Sequence, residues 1–144
     1  MNIHASLFAI TNPVQLLDRW LHPYRHHATV PYHNHDLDIE LTQRARTHLQ
    51  KRSTALKVEM QLYFSCVIKK RVLFHETTTL ETTEVDDMLE LTFRLVQATS
   101  CDPVEFAQNY PVQKEFTSPA AKKIHPKKLS IDFIRNNWVG EFYI

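Results

Sequence analysis

The sequence predicts an α+β fold in a single domain spanning residues 1–144. We expect a curved, mainly antiparallel sheet of about four to six strands, with about one to three short helices. Two long stretches of alternating apolar and polar residues predict the sheet, and short segments with helix-capping residues predict the helices. A composition of 43% hydrophobic and 23% charged residues is ordinary for a globular domain of this length.

The longest alternating stretch is residues 56–74, LKVEMQLYFSCVIKKRVLF. Every even position in it is apolar except Lys70, and the odd positions are mostly polar, which predicts one half-buried strand or two in-phase strands. Nineteen residues at about 3.3 Å each would span about 60 Å, too long for a small domain. The stretch must therefore bend, turn near residues 69–70, or extend into a partner, and the last alternative suggests a homodimer through the sheet.

A second alternating strand is predicted at residues 88–98, with Leu89, Leu91, Phe93 and Leu95 facing inward. Charge is divided along the chain. Residues 42–76 hold eight lysines and arginines against two acids, a net +6, whereas residues 77–105 hold one arginine against seven acids, a net −6. We expect these segments to lie side by side and to neutralise each other; the alternative is a basic face for an anionic partner.

Capping residues place the helices. Asn12 and Pro13 predict a helix over residues 13–21, with Leu16, Leu17, Trp20 and Leu21 packed on a core. A short strand at 37–41 and a basic helix at 42–53 should follow; a continuous strand reaching Leu49 is the alternative.

The C-terminal third should be more irregular. A short helix is predicted after Asp102 and Pro103, then a long loop at 111–128 with three prolines. A terminal hairpin should turn at residues 135–137, because asparagine tolerates positive φ. Residues 77–87 should form a loop with some extended character.

The main chemical candidate is a histidine-rich segment, residues 22–36, which two prolines predict to be irregular. Imidazole is the commonest ligand of zinc, copper and nickel, so a transition-metal site is a hypothesis here, with Asp36 or Asp38 completing the ligand set. No established zinc motif supports it. The candidate ligands are His22, His26, His27, His33 and His35.

Other reactive groups carry weaker signals. Cys66 lies on the apolar face of its strand and should be a core residue, while Cys101 precedes a helix start and is the better candidate thiol. A disulfide between them has no support. Two further sets should be solvated surface: the acids Glu81, Glu84, Asp86, Asp87 and Glu90, and the bases Arg44, Arg46, Lys51, Arg52, Lys122, Lys123, Lys127 and Lys128.

Composition limits the function. The chain has one glycine, which excludes the glycine-rich phosphate loops. Nucleic-acid recognition signatures are missing, and neither a signal peptide nor a membrane-spanning stretch is predicted, so we expect a cytoplasmic protein with no membrane partner. The sequence favours a non-enzymatic binding or accessory protein that holds a protein or a small apolar ligand on a sheet face or edge. The alternative is a metal-dependent carrier or hydrolase using zinc or another transition metal at residues 22–36.

Overall fold

The computed structural model describes residues 13–64, 68–98, 113–115 and 123–144. These residues form two helices and nine strands, an α+β arrangement as predicted. The helices are α1 (Pro13–Leu21) and α2 (Gln43–Gln50). The strands are β1 (Tyr24–Tyr32), β2 (His35–Thr42), β3 (Leu56–Phe64), β4 (Ile68–His75), β5 (Thr83–Asp86), β6 (Leu89–Ala98), β7 (Gln113–Glu115), β8 (Lys128–Ile134) and β9 (Asn137–Tyr143).

The strands form two sheets, so the prediction of one sheet with about four to six strands was wrong. The first sheet has the order β1-β2-β8-β9. The second has the order β4-β3-β6-β5, and β7 also pairs with β6. Most neighbours are antiparallel, as predicted, but β2 pairs with β8 and β3 pairs with β6 in parallel. The alternation of apolar and polar residues cannot show how the strands divide between two sheets, because both sheets contain strands with one apolar face.

The 56–74 stretch is two in-phase strands, β3 and β4, that form an antiparallel hairpin. β3 ends at Phe64 and β4 begins at Ile68, so the two strands meet slightly before the predicted turn at 69–70. Even positions of both strands face the core, including Val58 opposite Phe74, except Ile68 at the start of β4, which is 66% exposed. Lys70 shares that face, where its ammonium donates to the Phe142 carbonyl oxygen at 3.0 Å. The exception in the apolar pattern is therefore a lysine that reaches a backbone acceptor on β9.

The histidine-rich segment is not irregular, which corrects the prediction for residues 22–36. It forms β1, a tight turn and the start of β2. Pro31 does not prevent this, since β1 is an edge strand of the sheet, where a missing N–H is tolerated. His33 and Asn34 have φ of 49° and 67°, so both turn residues adopt the left-handed conformation of a two-residue hairpin loop.

One hydrophobic core joins the two sheets, and β9 packs closely on β4. Gly140, the chain's one glycine, lies at this contact. A Cβ atom there would lie 2.9 Å from both Phe74 Cζ and Val72 Cγ1. The close approach of the two strands therefore explains a residue without a side chain.

The two helices behave differently. Thr42 caps α2 by accepting from the Ala45 amide, and Ala45 and Leu49 are buried, which excludes the alternative of a continuous strand to Leu49. The predicted helix α1 is confirmed, but its apolar residues do not pack on a core: Trp20 is 77% exposed. Neither helix in the described part of the chain is long and apolar enough to cross a membrane.

The remaining predictions have mixed outcomes. The strand at 88–98 and the terminal hairpin are confirmed, with Arg135 and Asn136 at positive φ. The neutralising pair of charged segments is confirmed between β3 and β6, where Lys57 Nζ lies 3.3 Å from Glu90 Oε2. Part of the loop at 111–128 is strand β7. The helix after Asp102, both cysteines and Lys122 lie outside the described residues.

Candidate ligand-binding cleft

The outer edge of β6 is only partly paired. On one edge β6 pairs with β3 from Leu89 to Gln97. On the opposite edge β5 pairs with residues 89–91 and β7 with residues 96–98. Residues 92–95 have no strand partner on this side among the described residues, leaving an opening of about 13 Å. Backbone groups at such an opening need other partners.

Tyr32, the last residue of β1, supplies one of these partners. Its hydroxyl hydrogen-bonds with the backbone of Phe93, inside the opening, and the side chain is 3% exposed. Burial raises the pKa of Tyr32 to about 12. The β1–β2 turn is thereby held against the edge of the second sheet, which places His33 beside Phe93.

Two adjoining cavities flank this contact, and His33 and Phe93 line both of them. We call the pair the histidine cleft. The first cavity measures about 170 Å³ and the second about 270 Å³. The first is additionally lined by His35, Leu95, Ile124, His125 and Pro126, and the second by Tyr32, Leu80, Glu81, Thr83, Thr92 and Arg94. The first cavity thus combines three imidazoles with an apolar wall.

Two of the imidazoles are stacked. The ring centroids of His35 and His125 lie 3.5 Å apart, and the ring planes are 2° from parallel. His125 Nδ1 is 3.2 Å from the Lys123 carbonyl oxygen. Nitrogen lone pairs lie in the plane of an imidazole ring, so those of two stacked parallel rings cannot converge on one ion between them. Two protonated rings at this distance would also repel strongly.

The structure separates the five predicted metal ligands into groups. His26 Nε2 donates to Gln43 Oε1 at 2.6 Å, and His27 Nδ1 lies 3.8 Å from Glu40 Oε2. In the β1–β2 pairing, His26 lies opposite Leu41. Leu41 is six residues along β2 from His35, a distance of about 20 Å. Only the turn histidines, His33 and His35, lie at the cleft, whereas His22 follows α1.

No group of three or more histidine, cysteine, aspartate or glutamate side chains that could hold a metal ion occurs in the described parts of the chain. Of the proposed supporting acids, Asp38 accepts a hydrogen bond from the Thr29 hydroxyl at 2.7 Å, and Asp36 is exposed. Metal ligation by residues 22–36 stays a prediction. His125 is the cleft histidine that sequence analysis missed, since 90 residues separate it from His35.

Three members of the basic set, Arg44, Arg52 and Lys128, are engaged in ion pairs. Arg44 binds both Asp18 and Asp132, and Arg52 Nη2 lies 2.5 Å from Glu76 Oε2. Among the acids, Glu90 also accepts from the Thr82 hydroxyl at 2.6 Å, and its hydrogen-bond partners hold its pKa below the usual range. A residue of the acid set, Asp86, accepts from the Met88 amide at 2.8 Å and shapes the β5–β6 turn.

Three buried carboxylates also escaped the sequence analysis, because alternation placed them on polar, solvent-facing sides. Glu59 is 3% exposed and accepts from His75, Arg94 and the Gln61 amide. Glu40 accepts from the Ser130 hydroxyl at 2.6 Å and lines an open cleft of about 310 Å³. The third is Asp132, the most completely paired.

Asp132 is 1% exposed and belongs to the first sheet's outer face. Arg44 donates to both of its oxygens at 2.8 Å, and the Thr42 hydroxyl donates at 2.6 Å. Burial alone would raise the pKa of Asp132, but these donors and the Phe133 amide outweigh it and lower the pKa to about 2. Because both carboxylate oxygens already accept hydrogen bonds from these donors, Asp132 has a structural role and is not a free acid or base.

Comparison with known proteins identifies no relative: neither a protein-family model, a curated protein nor a solved structure matches the chain. Function must therefore be inferred from the chemistry of the molecule itself. Among the described cavities, the histidine cleft combines three features: an edge of β6 that no described strand pairs, several imidazole rings, and an apolar wall. Convergent polar groups in a mainly apolar pocket are the general features of a small-ligand site.

Proposed function

We propose that the protein is a non-enzymatic binding protein that holds a small ligand in the histidine cleft, at the edge of its second sheet. The ligand class is a carboxylate attached to a small apolar or aromatic body. The observation that carries this proposal is the convergence of His33, His35 and His125 with Phe93 around one cavity, beside a stretch of β6 that no described strand pairs on this edge.

The apolar part of the ligand is specified by the cavity wall. Phe93, Leu95, Ile124 and Pro126 offer an aromatic ring and aliphatic surface to the first cavity. A volume of about 170 Å³ suits a body of roughly one aromatic ring, smaller than the usual drug-sized pocket. The adjoining cavity provides room for a substituent past His33.

The charged part is specified by the imidazoles. Three histidine rings can donate hydrogen bonds from neutral or protonated nitrogens, and protonated rings attract a carboxylate. An anion beside the His35–His125 stack would offset the repulsion that two protonated rings create at 3.5 Å.

The test compares phenylacetate with its neutral isostere, phenylacetamide, by NMR titration of the purified protein. For a ligand of this size we expect a phenylacetate dissociation constant of about 0.01–1 mM, and at least about tenfold weaker binding of the amide. His125→Ala should weaken phenylacetate binding, whereas His22→Ala, a histidine outside the cleft, should not. Equal binding of the two probes, or equal binding to both variants, would contradict the proposal.

The second candidate function is transition-metal binding. The specific observation in its favour is that His33 and His35 do meet a third imidazole, although the stacked rings would have to rotate before sharing an ion. Metal analysis of untagged protein decides between the two. A stoichiometric metal that is lost in a His33→Ala, His35→Ala double variant would favour the metal-binding function over the carboxylate-binding one.

A further inference from the structure

The strands at the edges of the two sheets differ in how they are protected. An edge strand exposes unpaired N–H and C=O groups, and proteins usually protect it with a proline, a bulge, a short length or a covering segment. β1 contains Pro31 and a register shift near its start. β5 has only four residues and also shifts register. β9 packs against β4 at Gly140, where an added Cβ atom would lie 2.9 Å from Val72 Cγ1.

β4 has none of these backbone protections in the described part of the chain. It runs for eight residues, Ile68–His75, without a proline, and its pairing with β3 has no register shift. Among the described residues, β3 is the one strand that pairs with it. The atoms of β4 nearest to Gly140 belong to the Val72 and Phe74 side chains, which face the core, so β9 does not pair with this edge. The described residues therefore offer a regular backbone edge of about 26 Å.

The side chains of β4 favour a partner of one sign. Lys69, Lys70 and Arg71 are consecutive, and the strand contains no acid. Because side chains alternate along a strand, these cations lie on both faces of the sheet. Two copies paired through β4 would bring six cations onto neighbouring strands, which disfavours self-association. The same charges attract an acidic chain, and Ile68 beside them is 66% exposed.

A small cavity adjoins this edge. It measures about 150 Å³ and lies between β4 and β9, lined by Lys70, Arg71, Val72, Gly140, Glu141 and Phe142. Two cations line it against one acid. When an extended chain adds to a sheet edge, main-chain hydrogen bonds supply affinity and pockets for alternate side chains supply specificity. The cavity gives room for one side chain of an added strand.

We infer that β4 binds an extended acidic segment of a partner protein, which joins the second sheet as an additional strand. In an antiparallel register its acidic residues lie opposite Lys69, Lys70 and Arg71, and its apolar residues lie opposite residues 72–74. The inference is independent of the ligand proposed for the histidine cleft, because that cleft lies at the far edge of β6, with β3 between β6 and β4.

Fluorescence anisotropy of the full chain with a labelled peptide tests the inference. The probe is fluorescein-Thr-Val-Ile-Val-Glu-Asp-Glu-Val-amide, which matches the antiparallel register. We expect saturable binding below about 1 mM, as for a small transient interface. A peptide with lysines in place of the three acids should bind at least about tenfold more weakly.

Two N-methylated peptides separate strand addition from simple charge attraction, because only alternate N–H groups of a strand point toward its neighbour. Methyl groups on one alternate set of nitrogens should weaken binding at least about tenfold, and methyl groups on the other set less than about threefold. Both peptides are measured on the wild-type protein, so this comparison does not depend on the folding of a variant.

Charge reversal in the protein provides a further comparison. Lys69→Glu and Lys70→Glu should each weaken binding of the acidic peptide at least about fivefold. The matched control is Lys51→Glu, the same charge change at the exposed end of α2, which should bind like the wild type. Circular dichroism of each variant checks that the fold is retained.

Several results would overturn the inference. They are no binding at about 1 mM peptide, equal binding of the acidic and lysine peptides, equal effects of the two methylation sets, and a Lys51→Glu effect as large as that of Lys69→Glu. A wild-type dimer with β4 amides protected from hydrogen exchange would assign the edge to a second copy. Tighter binding of a short oligouridine than of the peptide would assign the basic strand to nucleic acid.

Discussion

Replacing Asp132 by asparagine should remove a buried charge that α1, α2 and the first sheet share. The wild-type carboxylate accepts from Arg44 and from the Thr42 hydroxyl, and lies 3.5 Å from Arg19. The amide would keep the size of the side chain but leave the Arg44 guanidinium with Asp18 as its one anionic partner in this network. Breaking a buried ion pair on one side ordinarily costs about 3–5 kcal/mol.

The pKa gives a second measure of the same interaction. The fall from 3.8 to about 2 corresponds, at about 1.36 kcal/mol per pKa unit, to about 2 kcal/mol. Because the folded-state pKa lies below the unfolded-state value, this stabilisation is fully present above about pH 4 and is lost as the pH falls toward 2. We therefore expect Asp132→Asn to lower the free energy of unfolding by about 2–5 kcal/mol at neutral pH.

Urea unfolding followed by circular dichroism, at pH 7 and at steps between pH 4.5 and 2, measures both effects. The wild type should lose stability more steeply than the variant across the acidic range, with a difference of about 2 kcal/mol. Asp36→Asn, at an exposed position on the same sheet, is the matched control and should follow the wild type. If Asp132→Asn and the wild type have parallel pH profiles, the ion-pair network does not stabilise the fold as argued.

Three further predictions concern other parts of the fold, each measured by urea unfolding. Gly140→Ala should destabilise by about 1–3 kcal/mol, because its Cβ would lie 2.9 Å from Phe74 Cζ; an unchanged or higher stability would mean that β9 and β4 are farther apart than described. Tyr32→Phe should cost about 1–3 kcal/mol by leaving the Phe93 backbone without its hydroxyl partner, and should remove a phenol that titrates near pH 12 in ultraviolet absorbance; a tyrosine set titrating only near pH 10 contradicts the burial of this phenol. Glu59→Gln should cost about 3–5 kcal/mol, since the carboxylate is 3% exposed, pairs with the Arg94 guanidinium and hydrogen-bonds with His75; a neutral effect would show that this carboxylate is solvated.

Local pattern was sufficient for the long amphipathic strands and their inward faces, but not for β1, β5 or β7. Alternation identified the inward positions of β3, β4 and β6, because side chains on successive strand residues point to opposite faces. Capping residues located α1, and the helical spacing of apolar residues located α2. Neither pattern indicates which strands pair with each other. β2 pairs with β8, about 90 residues later in the chain, and such non-local parallel pairing leaves no short-range signal in the sequence.

Local pattern also could not predict which side of a helix packs against the rest of the protein. The apolar spacing in α1 predicts an amphipathic helix, and we expected the stripe to face the core. The side facing the protein is instead set by Arg44 and Asp132, which bind Asp18 and Arg19 from distant positions in the chain. A buried acid such as Asp132 looks like any polar strand residue until its partners are known.

The candidate site was located only in part. Histidine enrichment pointed to residues 22–36, and two of its five histidines do lie at the cleft. The prolines favoured an irregular segment, whereas the left-handed turn at His33 and Asn34 produces a hairpin that separates the remaining histidines. His125 and Phe93 join the site through the tertiary fold, so composition alone could not include them.

The most direct test of the ligand-binding cleft is an NMR titration that observes the imidazole nitrogens of protein labelled with ¹⁵N-histidine. Adding phenylacetate should shift the resonances of His33, His35 and His125 together, with one dissociation constant, and leave those of His22 and His26 unchanged. Shifts confined to histidines outside the cleft, or no shift at about 10 mM phenylacetate, would contradict the proposed function.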